Sequence, residues 1–251
     1  MSSWIIAKNN VRKKLTVPIT QYHDTSMSSD IPSIYMETIA AFIYSQKMGE
    51  TCSIWDPTKI ISTTLKNNPQ IKLLKERPEA PGLNANTSIL ASMKFKDIQK
   101  IAATLLEYTP VFTRSVMQVV EKTVARQTFD IGLHIPGNDI SRLSTYSDNI
   151  KAYQVKTKKT NLSIYLMTDS YEIVKAFQQI GLPSWKIVSL SRNSINDPSD
   201  NFIRMMADVH VMTTVPALIL DFNESIDRLI YLIHTGLVFF KEIKDQQWHL
   251  L

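Results

Sequence analysis

Apolar and polar positions change rhythm near residue 130. Beyond it, short apolar runs alternate with amphipathic stretches. The segment Asp130-Ile131-Gly132-Leu133-His134-Ile135 is apolar through its centre and stops at Pro136-Gly137-Asn138-Asp139, which predicts a buried strand ended by a turn. Further strands are predicted at 162–167, ending in Thr168-Asp169-Ser170, at 185–190 and at 217–220. Helices are predicted around Ile150 and at 171–180, where Ile173, Val174, Phe177 and Ile180 share a face and Gly181 ends the element. Two more are predicted at 200–212 and at 224–234, the latter stopped by Gly236. A last segment from Leu237 is expected to pack back across the sheet. Strands separated by helices of about ten to fifteen residues predict a doubly wound parallel sheet.

The first half is less regular. Short strands are predicted at Trp4-Ile5-Ile6 and at 16–20, followed by a polar loop, Ser26-Met27-Ser28-Ser29-Asp30. Pro32 opens a helix whose apolar positions are Ile34, Met36, Ile39, Ala40, Phe42, Ile43 and Met48, and Gly49 closes it. Thr51 to Trp55 reads as a strand, with a helix through Leu65 and a short strand at 70–74. A loop at 76–87 carries Pro78, Pro81 and Gly82. Helices follow at 95–107 and from Pro110 towards Arg126. The boundary between two domains is set there, giving 1–125 and 126–251.

The 251-residue length accommodates two such domains, and 44% hydrophobic with 20% charged residues is ordinary for a soluble protein. No apolar run approaches the roughly 20 residues that a membrane span needs, and Met1 to Leu15, which lacks an apolar core and carries Arg12-Lys13-Lys14 after its short apolar run, is not expected to be a secretory signal. With a single cysteine, Cys52, no internal disulfide forms, and a reducing, cytoplasmic location is the expectation. The formal charge of +5 is modest and suits a small anionic ligand as well as a nucleic acid. The lysines at 151, 156, 158 and 159 read as a solvated face, and no specific nucleic-acid signature accompanies them.

In open α/β sheets, ligands bind beyond the carboxyl ends of the strands. Those ends are Pro136 to Asp139, Thr168 to Ser170, Ser191 to Ser194 and Asp221 to Ser225, where short polar residues gather and helix N-termini offer free N–H groups. Each has a bland reading beside it. Asp169 and Ser170 are what a helix cap looks like, and His134 is equally a core histidine with its hydrogen bonds satisfied. Arg228 sits in an otherwise apolar helix, which predicts burial and pairing with Asp221 or Glu224. Metal binding is not expected: there is no His-x₃-His, no cysteine pair and no acidic ligand loop.

These strand ends resemble those of the fucosyltransferase superfamily that includes the α1,6-fucosyltransferases and the protein O-fucosyltransferases. The family's His-x-Arg-x-x-Asp is met by His134-Ile135-Pro136-Gly137-Asn138-Asp139. Its Thr-Asp strand end is met by Thr168-Asp169-Ser170. Asp208-Val209-His210, the 217–220 strand, Phe222, Arg228 and Tyr231 follow the third motif. The resemblance implies α/β architecture with two Rossmann-like domains in a GT-B-like arrangement. It implies transfer of a sugar from a nucleotide-sugar of the GDP-fucose type to a glycan or protein acceptor, with inversion, no metal and no cofactor beyond the GDP-sugar substrate. It also implies that His134, Asp139, Thr168, Asp169, Ser170, Asp221, Ser225 and Arg228 lie at the donor site. The chain departs from the pattern where it matters for charge. Pro136 replaces the motif arginine, the Gly-rich loop before the first helix is replaced by 26–34, and Asn223 and Glu224 stand where serines are usual. Arg192, Arg142 and Lys151 are the candidates to replace the lost charge. A catalytically inactive fold that serves as an interaction module, with a protein partner, is the alternative.

Overall fold

The computed structural model describes residues 23–27, 30–77, 93–125, 127–137, 139–190, 198–243 and 249–250. The short strands expected before residue 21, most of the 76–87 loop and Arg192 lie outside these residues.

A small parallel sheet comes first, formed by β1 (His23–Asp24), β2 (Cys52–Trp55) and β3 (Ile71–Leu74), in that order. Between β1 and β2 runs α1 (Ile31–Met48). Its Asp30 cap accepts the Ser33 N–H at 2.7 Å, Pro32 sits in its first turn, and Gly49 ends it at φ 70°, a conformation that glycine adopts without strain. α2 (Ile60–Thr64) joins β2 to β3, and α3 (Phe95–Leu105) and α4 (Pro110–Thr123) follow. The Cys52 thiol is buried in β2, and burial pushes its pKa up to about 11 against a hydrogen bond with Ser45.

The second half holds β4 (Ile131–His134), α5 (Leu143–Thr157), β5 (Leu162–Met167), α6 (Tyr171–Ile180), β6 (Trp185–Val188), α7 (Pro198–Met212), β7 (Ala217–Leu220), α8 (Ser225–Ile233), β8 (Phe239–Glu242) and β9 (His249–Leu250). Strand order is β6-β5-β4-β7-β8-β9, parallel except for β9, which runs back along β8. Taken by appearance in the chain this is 3-2-1-4-5-6, the Rossmann order, with its topological switch between β4 and β7. All four residues of β4 and of β7 are buried. That explains their unbroken apolar runs: helices cover both faces, so no position is left to alternate. Gly132 gives this packing its close approach, because a Cβ there would lie 2.7 Å from the Met212 sulfur and 3.0 Å from Leu218, and those side chains would have to shift.

The expected boundary near residue 126 falls just after α4, which packs on α7 of the second half. α1 and α3 pack on α8. One hydrophobic core therefore joins Tyr35, Ile39 and Ile43 with Phe112 and Val116, with Met206, Val209 and Met212, and with Leu229 and Ile230. A second core lies on the other face of the large sheet, under α5 and α6. No helix among the described residues is long and apolar enough to cross a membrane.

Candidate functional site

A cleft of about 570 Å³ opens at the carboxyl ends of β4, β5, β6 and β7, beside the switch point. Its walls come from six places. His134 and Pro136 end β4, Met167, Thr168 and Asp169 end β5, and Leu190 follows β6. Arg204, Met205 and Asp208 face it from α7, and Glu224, Ser225 and Ile226 from the start of α8. Asp30 and Pro32, at the start of α1, close the opposite side.

His134, at the end of a strand buried on both faces, is only 8% exposed. Its Nδ1 lies 3.0 Å from Asp227 Oδ1, and the other oxygen of Asp227 accepts the Asp221 N–H at 2.7 Å. Asp221 accepts from Asn223 through Oδ1 and pairs with Arg142 through Oδ2 at 2.8 Å. Arg142 reaches Asp139 at 2.5 Å with its other nitrogen. Hydrogen bonds thus run from His134 on the cleft wall through Asp227 and the Asp221 backbone to the Asp221 side chain and the half-exposed Arg142. Hydrogen bonds to Asp139 and then to Asp221 raise the Arg142 pKa, so the guanidinium stays charged and committed to these two carboxylates.

Two carboxylates here are held above the ordinary range. Burial pushes Asp208 up to about 7, against a 2.5 Å hydrogen bond from the Tyr165 hydroxyl and the charges of His134 and Arg204. Burial also raises Asp227, opposed by His134. For His134, burial favours the neutral ring, but the charge and hydrogen bond of Asp227, with Glu224 and Asp208 beyond, carry its pKa above the usual value.

The expected site residues divide into two groups. His134, Thr168, Asp169 and Ser225 line the cleft. Ser170 caps α6, accepting the Ile173 N–H at 3.4 Å, and donates its own N–H to Thr168 at 3.2 Å. Asp139 and Asp221 sit behind the wall as the anchors of Arg142. Gly137 lets Asp169 approach, since a Cβ there would lie 2.5 Å from its Oδ1. Ser225 bridges the two halves, donating to Asp30 at 3.0 Å and receiving from Ser33 at 3.1 Å.

Arg228 departs from expectation. It is exposed and does not line the cleft, and Asp221 is held by Arg142 instead. The reason is helical phase: Asp227, Leu229 and Ile230 turn inward, leaving Arg228 on the solvent side. Among the residues considered as replacement charges, Arg142 is held between two carboxylates and Lys151 pairs with exposed Asp148.

Three participants escaped the sequence reading: Arg204, Tyr165 and Asp227. Arg204 is the one permanent cation among the described residues lining the cleft, facing four carboxylates, Asp30, Asp169, Asp208 and Glu224. Its spacing of four residues from Asp208 on one helix face was a usable signal. No group of three or more His, Cys, Asp or Glu side chains among the described residues is placed to hold a metal ion.

This fold, a Rossmann-ordered sheet with the start of α1 closing the cleft at its switch point, is like that of solved fucosyltransferases. It is similar to NodZ alpha-1,6-fucosyltransferase co-crystallised with GDP, over 88% of this chain and 92% of that one, at 9% identity and a TM-score of 0.58. Fucosyltransferase NodZ from Bradyrhizobium aligns over 92% of this chain and 96% of its own, at 9% identity and a TM-score of 0.53. A point mutant of Arabidopsis thaliana FUT1 in complex with GDP aligns over 84% of this chain and 68% of its own, at 10% identity and a TM-score of 0.58. The sequence itself matches no family model and no curated protein.

Proposed function

We propose that the cleft binds a nucleotide-sugar of the GDP-fucose type and that the chain is a fucosyltransferase-like glycosyltransferase acting on a glycan or protein acceptor. The observation that carries this reading is the cleft at the β4/β7 switch point, in a fold shared with structures bound to GDP. Its chemistry fits a guanine nucleotide. Guanine offers adjacent N–H donors on one edge, which a carboxylate such as Asp169 accepts in pairs. Arg204 supplies the positive charge that Pro136 cannot, since proline has neither a cation nor a backbone N–H. In the transfer, the acceptor hydroxyl oxygen bonds to the anomeric carbon as the bond to the diphosphate breaks. The hydroxyl proton passes to a cleft carboxylate, and the departing diphosphate faces Arg204.

A second reading rests on the same wall. Asp30, Asp169 and Glu224 against one guanidinium, joined by Asp208 above about pH 7, repel a diphosphate, which favours a non-catalytic fold that engages a protein partner. Calorimetric titration with GDP, GDP-fucose, UDP and CMP separates the two. The enzyme reading expects guanine-selective binding in the high-micromolar range or tighter, together with GDP release from GDP-fucose when acceptor glycans are supplied. Absence of binding by every nucleotide overturns it and leaves the interaction module.

A further inference from the structure

Asp227 belongs to no motif of the sequence, yet its carboxylate is completely buried and fully used. One oxygen meets His134 Nδ1 at 3.0 Å and the other holds the Asp221 N–H at 2.7 Å, so the carboxylate is locked from both sides. With Nδ1 committed, Nε2 is the ring nitrogen left for the cleft that His134 lines.

We infer that Asp227 is the positioning residue of the cleft, holding His134 as a protonated N–H donor to the ligand's diphosphate. This rests on the nucleotide-sugar reading of the same cleft. An imidazolium standing two residues before Pro136 restores part of the charge that the proline lacks, but only while it carries its proton. Donor affinity is therefore tied to pH.

The surroundings favour that protonated state. From α8 and its cap come Asp227 and Glu224, and from α7 come Asp208 and the opposing Arg204. Asp169 faces the same cleft from the end of β5, and Tyr146, which feels the charges of both Asp227 and Arg142, lies outside the cleft lining. Carboxylates outnumber cations around the ring, and His134 is held above its ordinary pKa in spite of burial. A cationic ring that binds an anion loses that affinity as pH rises through its pKa.

The test is calorimetric titration of the intact chain with GDP-fucose from pH 5.5 to 9. In that probe the phosphates stay fully ionised across the range and the guanine N1–H begins to titrate only at its alkaline end, so a change in affinity below that end belongs to the protein. Wild type is expected to lose about tenfold in affinity across the His134 transition. His134→Gln is expected to bind weakly and to keep only the pH dependence contributed by Asp208, which titrates near 7 in the same cleft, and His134→Gln combined with Asp208→Asn is expected to be flat. Asp227→Asn is expected to move the transition at least one pH unit lower, because the fixed negative charge is gone. Proton NMR of the His134 ring in the ligand-free protein reads the same displacement without any nucleotide. Binding by wild type with a flat profile overturns this inference and leaves the nucleotide-sugar reading standing, as does an Asp227→Asn ring that titrates unchanged. No binding at any pH overturns both.

Discussion

Asp208 is a buried acid whose only described hydrogen-bond donor is a phenol. Its folded pKa of about 7 lies above the ordinary 3.8, so between about pH 4 and 7 the folded state holds a proton that the unfolded chain has released. Stability contributed by this group is therefore present at low pH and lost as pH rises through 7. Asp208→Asn keeps the acceptor for Tyr165 and removes the ionisation. It is expected to raise the melting temperature most at pH 8, by at most about 4 kcal/mol of added stability, and clearly less at pH 5, where only about 2 kcal/mol of the shift has accrued. Thermal unfolding at the two pH values decides it, and equal effects at both would place Asp208 in solvent. Arg204→Gln tests the other half of the pair. Loss of the one permanent cation among the described residues lining the cleft is expected to weaken GDP binding roughly tenfold to a hundredfold by titration, in line with a charge-assisted phosphate contact. The sequence was partly legible at this scale. His134, Thr168 and Asp169 were placed because strand ends are local features. Arg228 was misjudged because neighbouring helix positions differ by about 100° in direction, and composition cannot say which of two adjacent charges turns inward. Asp227 was the one that did.

Among the elements, β4, β5 and β7 were readable because burial on both faces removes alternation and leaves plain apolar runs. α6 was readable because Ser170 starts it and Gly181 follows it. β1 was not: two residues carry no periodicity, and this strand exists through its pairing with β2. The Gly132 contact is testable at this level. Gly132→Ala adds a methyl group where α7 lies on β4, against the Met212 sulfur, and overpacking of this kind typically costs about 1–3 kcal/mol. Urea denaturation is expected to show a lower midpoint with an unchanged slope. A midpoint equal to wild type would mean that Met212 moves aside at no cost.

For the whole molecule, alternation of strand and helix gave the Rossmann half, while the way the two halves join was beyond reach, since the contacts of α1 with α8 and of α4 with α7 link residues far apart in the chain. Those contacts merge what composition divides, and Ser225 adds a polar tie from the start of α8 to Asp30 and Ser33. Such a joint has a signature in the exchange of backbone amides with deuterated water. If one opening releases both sheets, the innermost amides of β2 and β4 exchange through the same event, with the same free energy and the same response to denaturant. The protein would then have no weaker half to shed first, and a chain cut near residue 126 would leave two fragments that each expose a face of core.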